Sequence, residues 1–437
     1  MSFAKINDDI LRTLQPPGAR YYLGLALTLV ALSVGVLAFV HQVRTGMGVA
    51  GYEHPILWGV YITNFVFWIG IAHSGTLISA VLFLFRARWR TAVARAAEAM
   101  TVFAIATAAL FPIIHLGRPW FFYWLIPYPN ERQLWVNFRS PLVWDLFAIT
   151  TYLTVSAIFL YLGLMPDIAA VRDKITDWRR HVYRVLSFGW LGTDRQWRHY
   201  VALYSFFAAL ATPLVVSVHS VVSWDFAMSI LPGWHSTIFA PYFVAGAIFS
   251  GLAMVITLLV PMRRVLKLEC YITVHHFENL AKLMLTTSLI VSYSYVMELF
   301  IAWYSGSPFE QGTYFNLVFG QYRALSWMML TFNVLIPLLL FSKAIRTNLR
   351  SLFVISIFAN IGMWLERYVI IVGSLSHDFD PANWSGVYRP TWVEAAITIG
   401  SFGLFFTLFL LFVKNFPAVS LTEMKEMTDR SPEAEPV

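Results

Sequence analysis

Among the ionisable side chains within or at the ends of long apolar runs, seven stand out: His73, Asp145, His219, Asp225, Glu298, Glu366 and Arg367. A charge at mid-membrane costs roughly 2.5–3.5 kcal/mol on insertion scales, so each is a candidate functional group. Thr76 and Ala80 follow His73 at helical spacing and leave a small groove beside the imidazole. The plainer reading is a packed histidine bonded to a neighbouring carbonyl. Asp145 shares a stripe with Tyr152 and Ser156, the alternative being an interfacial carboxylate facing water. Ser205, Thr212, His219 and Ser223 recur every seven or four residues and end near Asp225. Such a row suits protein, water or a ligand better than lipid. Glu298 forms a stripe with Thr287 and Ser294, beside Tyr295. Glu366 and Arg367 are adjacent, so they point about 100° apart and each is expected to need a partner on another helix. For these last three, a structural ion-pair network competes with proton relay, which carboxylates interleaved with hydroxyls can perform.

The single cysteine, Cys270, excludes a disulfide framework and any cysteine-ligated zinc or iron–sulfur centre. His73, His219 and His115 cannot supply the two imidazole pairs of a two-haem cytochrome, and no metal-ligand run or phosphate-cradling loop is present. The chain is therefore expected to bind no haem or iron–sulfur cluster. A pocket of His, Asp and aromatic groups suits a quinol. Its oxidation releases electrons and protons together, so a proton acceptor is needed at one or both oxygens. His73 with Asp145, or His219 with Asp225, are of the right types. The electrons would leave to a cofactor on another subunit.

These groups need elements to hold them. Of 437 residues, 58% are hydrophobic and only 13% charged, against roughly a quarter charged in an average soluble chain. That balance excludes a water-soluble globule and predicts an all-α polytopic membrane protein. A membrane-spanning helix needs about 20 apolar residues. Ten such runs are present: 21–40, 57–85, 97–117, 142–165, 200–223, 238–261, 279–303, 324–342, 352–374 and 391–413. An even number puts both termini on one side. The connections on that side hold 23 of the 31 basic residues and the opposite loops hold six, so both termini are expected in the cytoplasm. The first run is of full membrane length without a small-residue cleavage site, unlike a signal peptide. Residues 1–20 read as an amphipathic arm and Ser431–Val437 as a disordered tail.

The chain also resembles itself. HSGTLISAVLFLFR (His73–Arg86) parallels FSGLAMVITLLVPMRR (Phe249–Arg264), Glu98 parallels Glu278, Arg139-Ser140 parallels Arg323-Ala324, and SVVSWDF (Ser220–Phe226) parallels GSLSHDF (Gly373–Phe379). These matches predict two four-helix bundles of like orientation, 56–236 and 237–390. Flanking helices are expected at 21–55 (with its outer loop) and 391–414, followed by a tail over 415–437. Shared membrane composition is the alternative. Between the third and fourth spans, Trp120, Phe121, Phe122, Tyr123, Trp124, Tyr128 and Trp135 stand among Arg118, Arg132 and Arg139. Aromatic anchoring accounts for part of this; arginines on the side where positive charge is disfavoured suggest a docking surface for an extrinsic partner.

With ten spans in two four-helix units, three stretches carry a family resemblance: His73-Ser-Gly in the second span, His115-Leu-Gly-Arg-Pro ending the third, and SVHSVVSWDF (Ser217–Phe226) in the fifth. Over nearly its whole length the chain resembles the NrfD/PsrC-like integral membrane subunits, and among them the ten-helix ActC-type subunit of bacterial alternative complex III. The companion ActF type is similar in kind; short outer loops and compact termini favour the ActC type. The resemblance implies a subunit in the bacterial inner membrane that oxidises menaquinol or another quinol near the outer face of the first bundle. It also implies partners: an iron–sulfur subunit on the outer face, c-type cytochrome subunits and a second NrfD-like membrane subunit, with membrane lipid around them and no nucleic acid. His73 and Asp145 become the catalytic candidates, with His219, Asp225, His115 and Arg118 supporting quinol binding. Glu98, Glu298, Glu366 and Arg367 become a candidate proton route. Two other readings remain open. One is the membrane anchor of a molybdopterin reductase such as polysulfide reductase. The other is a secondary transporter, against which Pro213 and Pro337 do not occupy matching positions.

Overall fold

The computed structural model describes residues 3–126, 128, 133, 137–384 and 386–429. Arg132, Trp135 and the Ser431–Val437 tail lie outside the described residues. Among the described residues, ten helices are long and apolar enough to cross a membrane. In chain order these spans are Ala19–Thr45, Val60–Leu84, Arg88–His115, Pro141–Arg172, Asp194–Ala227, Phe239–Val265, Val274–Tyr304, Arg323–Phe341, Leu349–Gly373 and Trp392–Asn415. Each covers most or all of a predicted apolar run. Local chemistry sets several ends: Thr193 and Thr391 form capping boxes with Gln196 and Glu394, and Gly46 ends span 1 at a φ of 101°.

Span 3 begins at Arg88, well before the expected 97. The difference comes from Arg90 and Arg95, which read as loop arginines but are buried. Arg90 pairs with Glu423 at 3.1 Å, and Arg95 pairs with Glu98 at 3.1 Å and Asp167 at 3.0 Å. Neutralised in this way, the guanidinium groups can enter the packed interior. Shorter helices in the expected connections or tail include Arg179–Leu186, Pro308–Phe319 and Leu421–Asp429. The N-terminal arm is the helix Phe3–Thr13, which buries Ile6 and Ile10 and packs against Leu421–Asp429. The face carrying these two helices is the terminal face; the other is the distal face.

Span 2 packs on span 3, span 3 on span 4 and span 4 on span 5, which returns to span 2. Span 6 packs on spans 7 and 9, and span 8 joins span 9. The two groups meet where span 6 packs on spans 2 and 5, and small residues permit the close approach to span 2. A Cβ on Gly251 would strike the Ser74 hydroxyl and the Ile71 carbonyl. Span 10 lies along span 1 so tightly that a side chain at Gly35 would meet the backbone of Gly400. The pair rests against span 3 and leaves Leu27, Val30 and Leu37 exposed on its outer side.

Candidate functional site

Span 2 brings His73 to the centre of the first group, fully buried. Its Nδ1 lies 2.7 Å from the Ile69 carbonyl oxygen. A carbonyl can only accept, so Nδ1 carries the hydrogen and Nε2 presents a lone pair. Nε2 has no partner. The plain reading of His73 thus describes one ring nitrogen and leaves the other open. Across from it, on span 5, stands His219, with ring centroids 4.4 Å apart. His219 is also fully buried, and neither of its ring nitrogens has a partner. Tyr152 of span 4 lies against His73 at 5.4 Å. The Tyr152 hydroxyl is 2.8 Å from the Thr76 hydroxyl and 3.1 Å from the Ala72 carbonyl oxygen. Immediately after Thr76, span 2 widens into a π-helical turn, Leu77–Val81; such turns are frequent at functional sites.

Asp145 and Asp225 face each other within hydrogen-bonding reach, nearer the distal face. One oxygen of each, Oδ1, is without a partner. Asp145 precedes Tyr152 by seven residues, which is about 10 Å along a helix. The pairing is therefore imidazole with imidazole and carboxyl with carboxyl, where types alone suggested imidazole with carboxyl. Residues on neighbouring helices meet at equal depth, whatever their chemistry. Of the other polar groups in the span 5 row, Ser223 is buried, whereas Thr212 is half-buried and bonded to its own helix at the Ala208 carbonyl.

The remaining candidates form separate clusters. Glu98 lies toward the terminal face. It accepts from Arg95 and, at 3.0 Å, from the Tyr204 hydroxyl, while Asp167 joins Arg95 to the Thr422 backbone and hydroxyl. A small cavity lined by Thr76, Ser79, Glu98, Thr101 and Ser156 separates this cluster from Tyr152. In the second group, Arg367 Nη1 and Glu366 Oε1 are 2.8 Å apart. The adjacent pair expected to seek partners elsewhere finds them in part in each other, because long side chains can swing back across a 100° separation. Glu366 also accepts from the Tyr295 hydroxyl, and Asn333 donates to that hydroxyl at 2.9 Å. Arg367 lies over the Phe243 ring at 4.4 Å, and Phe243 in turn lies 5.9 Å from His219. Glu298 accepts from Ser236 at 2.6 Å and from Tyr314.

His115 stands apart from His73. Its ring meets Tyr52 edge-on at 5.6 Å, beside Tyr61, Tyr388 and Glu394, and its Nδ1 is unpartnered. Arg118 is exposed at the start of Pro119–Leu125, a turn of 3-10 helix that exposes Trp120 and Phe122. Sequence reasoning missed Arg95, Asp167, Tyr204, Tyr314 and Asn333. Charges at 95 and 167, at the margins of apolar runs, were the available signal. Among the described residues, no three His, Cys, Asp or Glu side chains gather as a metal site.

The profile of a known family, described as polysulphide reductase, NrfD, matches residues 48–377. The chain belongs to the NrfD family. The matched stretch begins after span 1 and ends after span 9, so the two packed groups are its NrfD portion and spans 1 and 10 flank it. This NrfD-family chain is 29% identical over 238 residues to a putative membrane subunit of dimethyl sulfoxide reductase from Halobacterium salinarum, covering 54% of this chain and 50% of that protein. It thus matches about half the length of that relative. It is 19% identical over 422 residues to a selenate reductase subunit of Mesobacillus selenatarsenatis, covering 92% and 95% of the two chains. Ten apolar spans and NrfD membership make it a multi-pass membrane protein of the kind found in oxidoreductase complexes.

Proposed function

We propose that this chain is the quinol-oxidising membrane subunit of a multi-subunit electron-transfer complex. The observation that carries the reading is the facing pair His73 and His219, both fully buried, with three of four ring nitrogens unpartnered. Buried polar atoms are almost always satisfied, so an orphan cluster calls for a ligand or ordered water. A quinol hydroxyl can donate to the lone pair on His73 Nε2, and His219 offers a second acceptor. Oxidation to the quinone then delivers two protons to these bases or beyond them. Two electrons leave to an iron–sulfur cluster of a neighbouring subunit. Asp145 and Asp225, one layer toward the distal face, would take protons onward. The exposed Trp120–Trp124 turn with Arg118 and Arg139 supplies a surface for the iron–sulfur subunit. The excess of basic residues on the terminal side supports cytoplasmic termini and a site that opens outward.

The ActC-type role in an alternative complex III, with c-type cytochromes and a second NrfD-like subunit as partners and protons carried through Glu98, Glu298, Glu366 and Arg367, is the fuller form of this proposal. The names of the two relatives favour a second form, the membrane anchor of a molybdopterin reductase. Haem c or molybdenum in the purified complex separates the two. The common core is tested by His73→Leu and His219→Leu in the intact complex. Each is expected to lower quinol oxidation about 100-fold or more, the usual worth of a positioned base, with the partner subunits still bound. Turnover at the level of the unaltered complex in both variants removes the imidazoles from the site.

A further inference from the structure

The second group holds a cleft that the first site does not use. Span 8 meets span 7 mainly from its π-helical turn, Thr331–Leu335, toward the terminal face; its distal half, Arg323–Leu330, packs instead on span 9 and on the helix Pro308–Phe319. The distal ends of spans 7 and 8 therefore splay, and Pro308–Phe319 covers the wedge. Tyr242, Tyr295 and Tyr314 line it with Glu298, Ser326 and Leu299, around about 80 Å³ of free space. One water needs roughly 10–15 Å³, so the space is several waters deep. Leu299 is 45% exposed and Trp303, one turn on, is 69% exposed. The mouth thus opens sideways into the lipid.

Its polar lining is specific. Ser326 is only 3% exposed, lines the cleft and has a hydroxyl without a partner. Glu298 is buried, and each carboxyl oxygen accepts one bond, from Ser236 or Tyr314. A carboxylate oxygen has two lone-pair directions, so Glu298 can accept again. An occupant should donate one hydrogen bond to Glu298 and accept one from Ser326, with a flat apolar body between tyrosine rings. A phosphate headgroup would meet the carboxylate as like charge. A hydroxylated ring on a hydrophobic tail meets every requirement.

We propose that this cleft is a second, lipid-accessible binding site for a molecule of the quinol class, separate from the His73–His219 centre. The ring enters between spans 7 and 8 with its hydroxyl on Glu298 and Ser326, and its tail remains in the bilayer past Leu299. The site does not depend on oxidation taking place at His73.

The test is photolabelling of the intact complex in liposomes with an azido-substituted quinol, kept reduced so that it carries the hydroxyl, followed by peptide mapping with and without excess unlabelled quinol. Adducts that the competitor suppresses are expected on residues 295–330, besides any on spans 2 and 5. Ser326→Trp, which fills the cleft, should lower the 295–330 adduct at least 10-fold while adducts on spans 2 and 5 persist. Leu299→Trp, which narrows the mouth on the lipid side where folding is not at stake, should lower it as well. Adducts confined to spans 2 and 5, labelling of 295–330 that competitor does not suppress, or full labelling there in both variants each overturns the proposal. Loss of adducts near His73 and His219 alone would count against the first site and leave this one standing.

Discussion

At the scale of single residues, the core of the first group holds two kinds of polar side chain whose contributions to stability have opposite sign. The Tyr152 hydroxyl bonds to Thr76 and Ala72. Tyr152→Phe leaves the Thr76 hydroxyl buried and unpaired, at a cost of about 1–3 kcal/mol. His219 keeps two desolvated nitrogens without partners, a penalty of similar size that the folded protein already bears. His219→Leu removes that penalty at nearly conserved volume. The thermal midpoint of the detergent-solubilised complex is therefore expected to fall in Tyr152→Phe and to hold or rise in His219→Leu, although the second variant is the one that loses quinol oxidation. A residue that weakens the fold while sustaining activity belongs to a binding centre, and a lower midpoint in His219→Leu would instead make it a packing residue.

At the scale of elements, the helices that position the site are fixed by two different kinds of information. The apolar runs were legible: each of the ten spans covers most or all of one, although span 3 starts nine residues early. What hydropathy could not give was depth. Arg90 and Arg95 read as a boundary because a lone arginine belongs outside the membrane, yet Glu423 and Asp167, far along the chain, bring both inside. His73 and His219 were each visible as intramembrane imidazoles, but their meeting depends on helix offset, which no single span encodes. The Pro308–Phe319 cover lay in a stretch too short to be read as a span. The Arg95 network offers a test at this scale. Arg95→Ala leaves Glu98 and Asp167 buried without their cation, and breaking a buried pair on one side costs about 3–5 kcal/mol. Spans 3 and 4 and the Leu421–Asp429 helix should loosen together, seen as faster proteolysis after residue 415 and poor recovery of the complex. Arg95→Lys, which keeps one charge but loses the fork, should be intermediate. Unchanged recovery of Arg95→Ala would mean that the carboxyls are held neutral by their other partners.

At the scale of the whole molecule, spans 2–5 and spans 6–9 present different chemistry at different depths: an imidazole pair among the first, a tyrosine-lined carboxylate among the second, and an Arg95 network toward the terminal face. Which way this stack faces decides where protons go. A site near the distal face releases them outside only if the termini are cytoplasmic. The chain has a single cysteine to read this directly. Cys270 is exposed in the short connection between spans 6 and 7, on the terminal face. A membrane-impermeant maleimide is expected to modify Cys270 in inside-out vesicles and to leave it untouched in right-side-out ones. Ser305→Cys in a Cys270→Ser background places the thiol at the exposed distal end of span 7 and should show the reverse pattern. Labelling of Cys270 from the outside would invert the molecule. The Asp145–Asp225 layer would then drain to the cytoplasm, and the Trp120–Trp124 surface could no longer receive an electron acceptor outside the cell membrane.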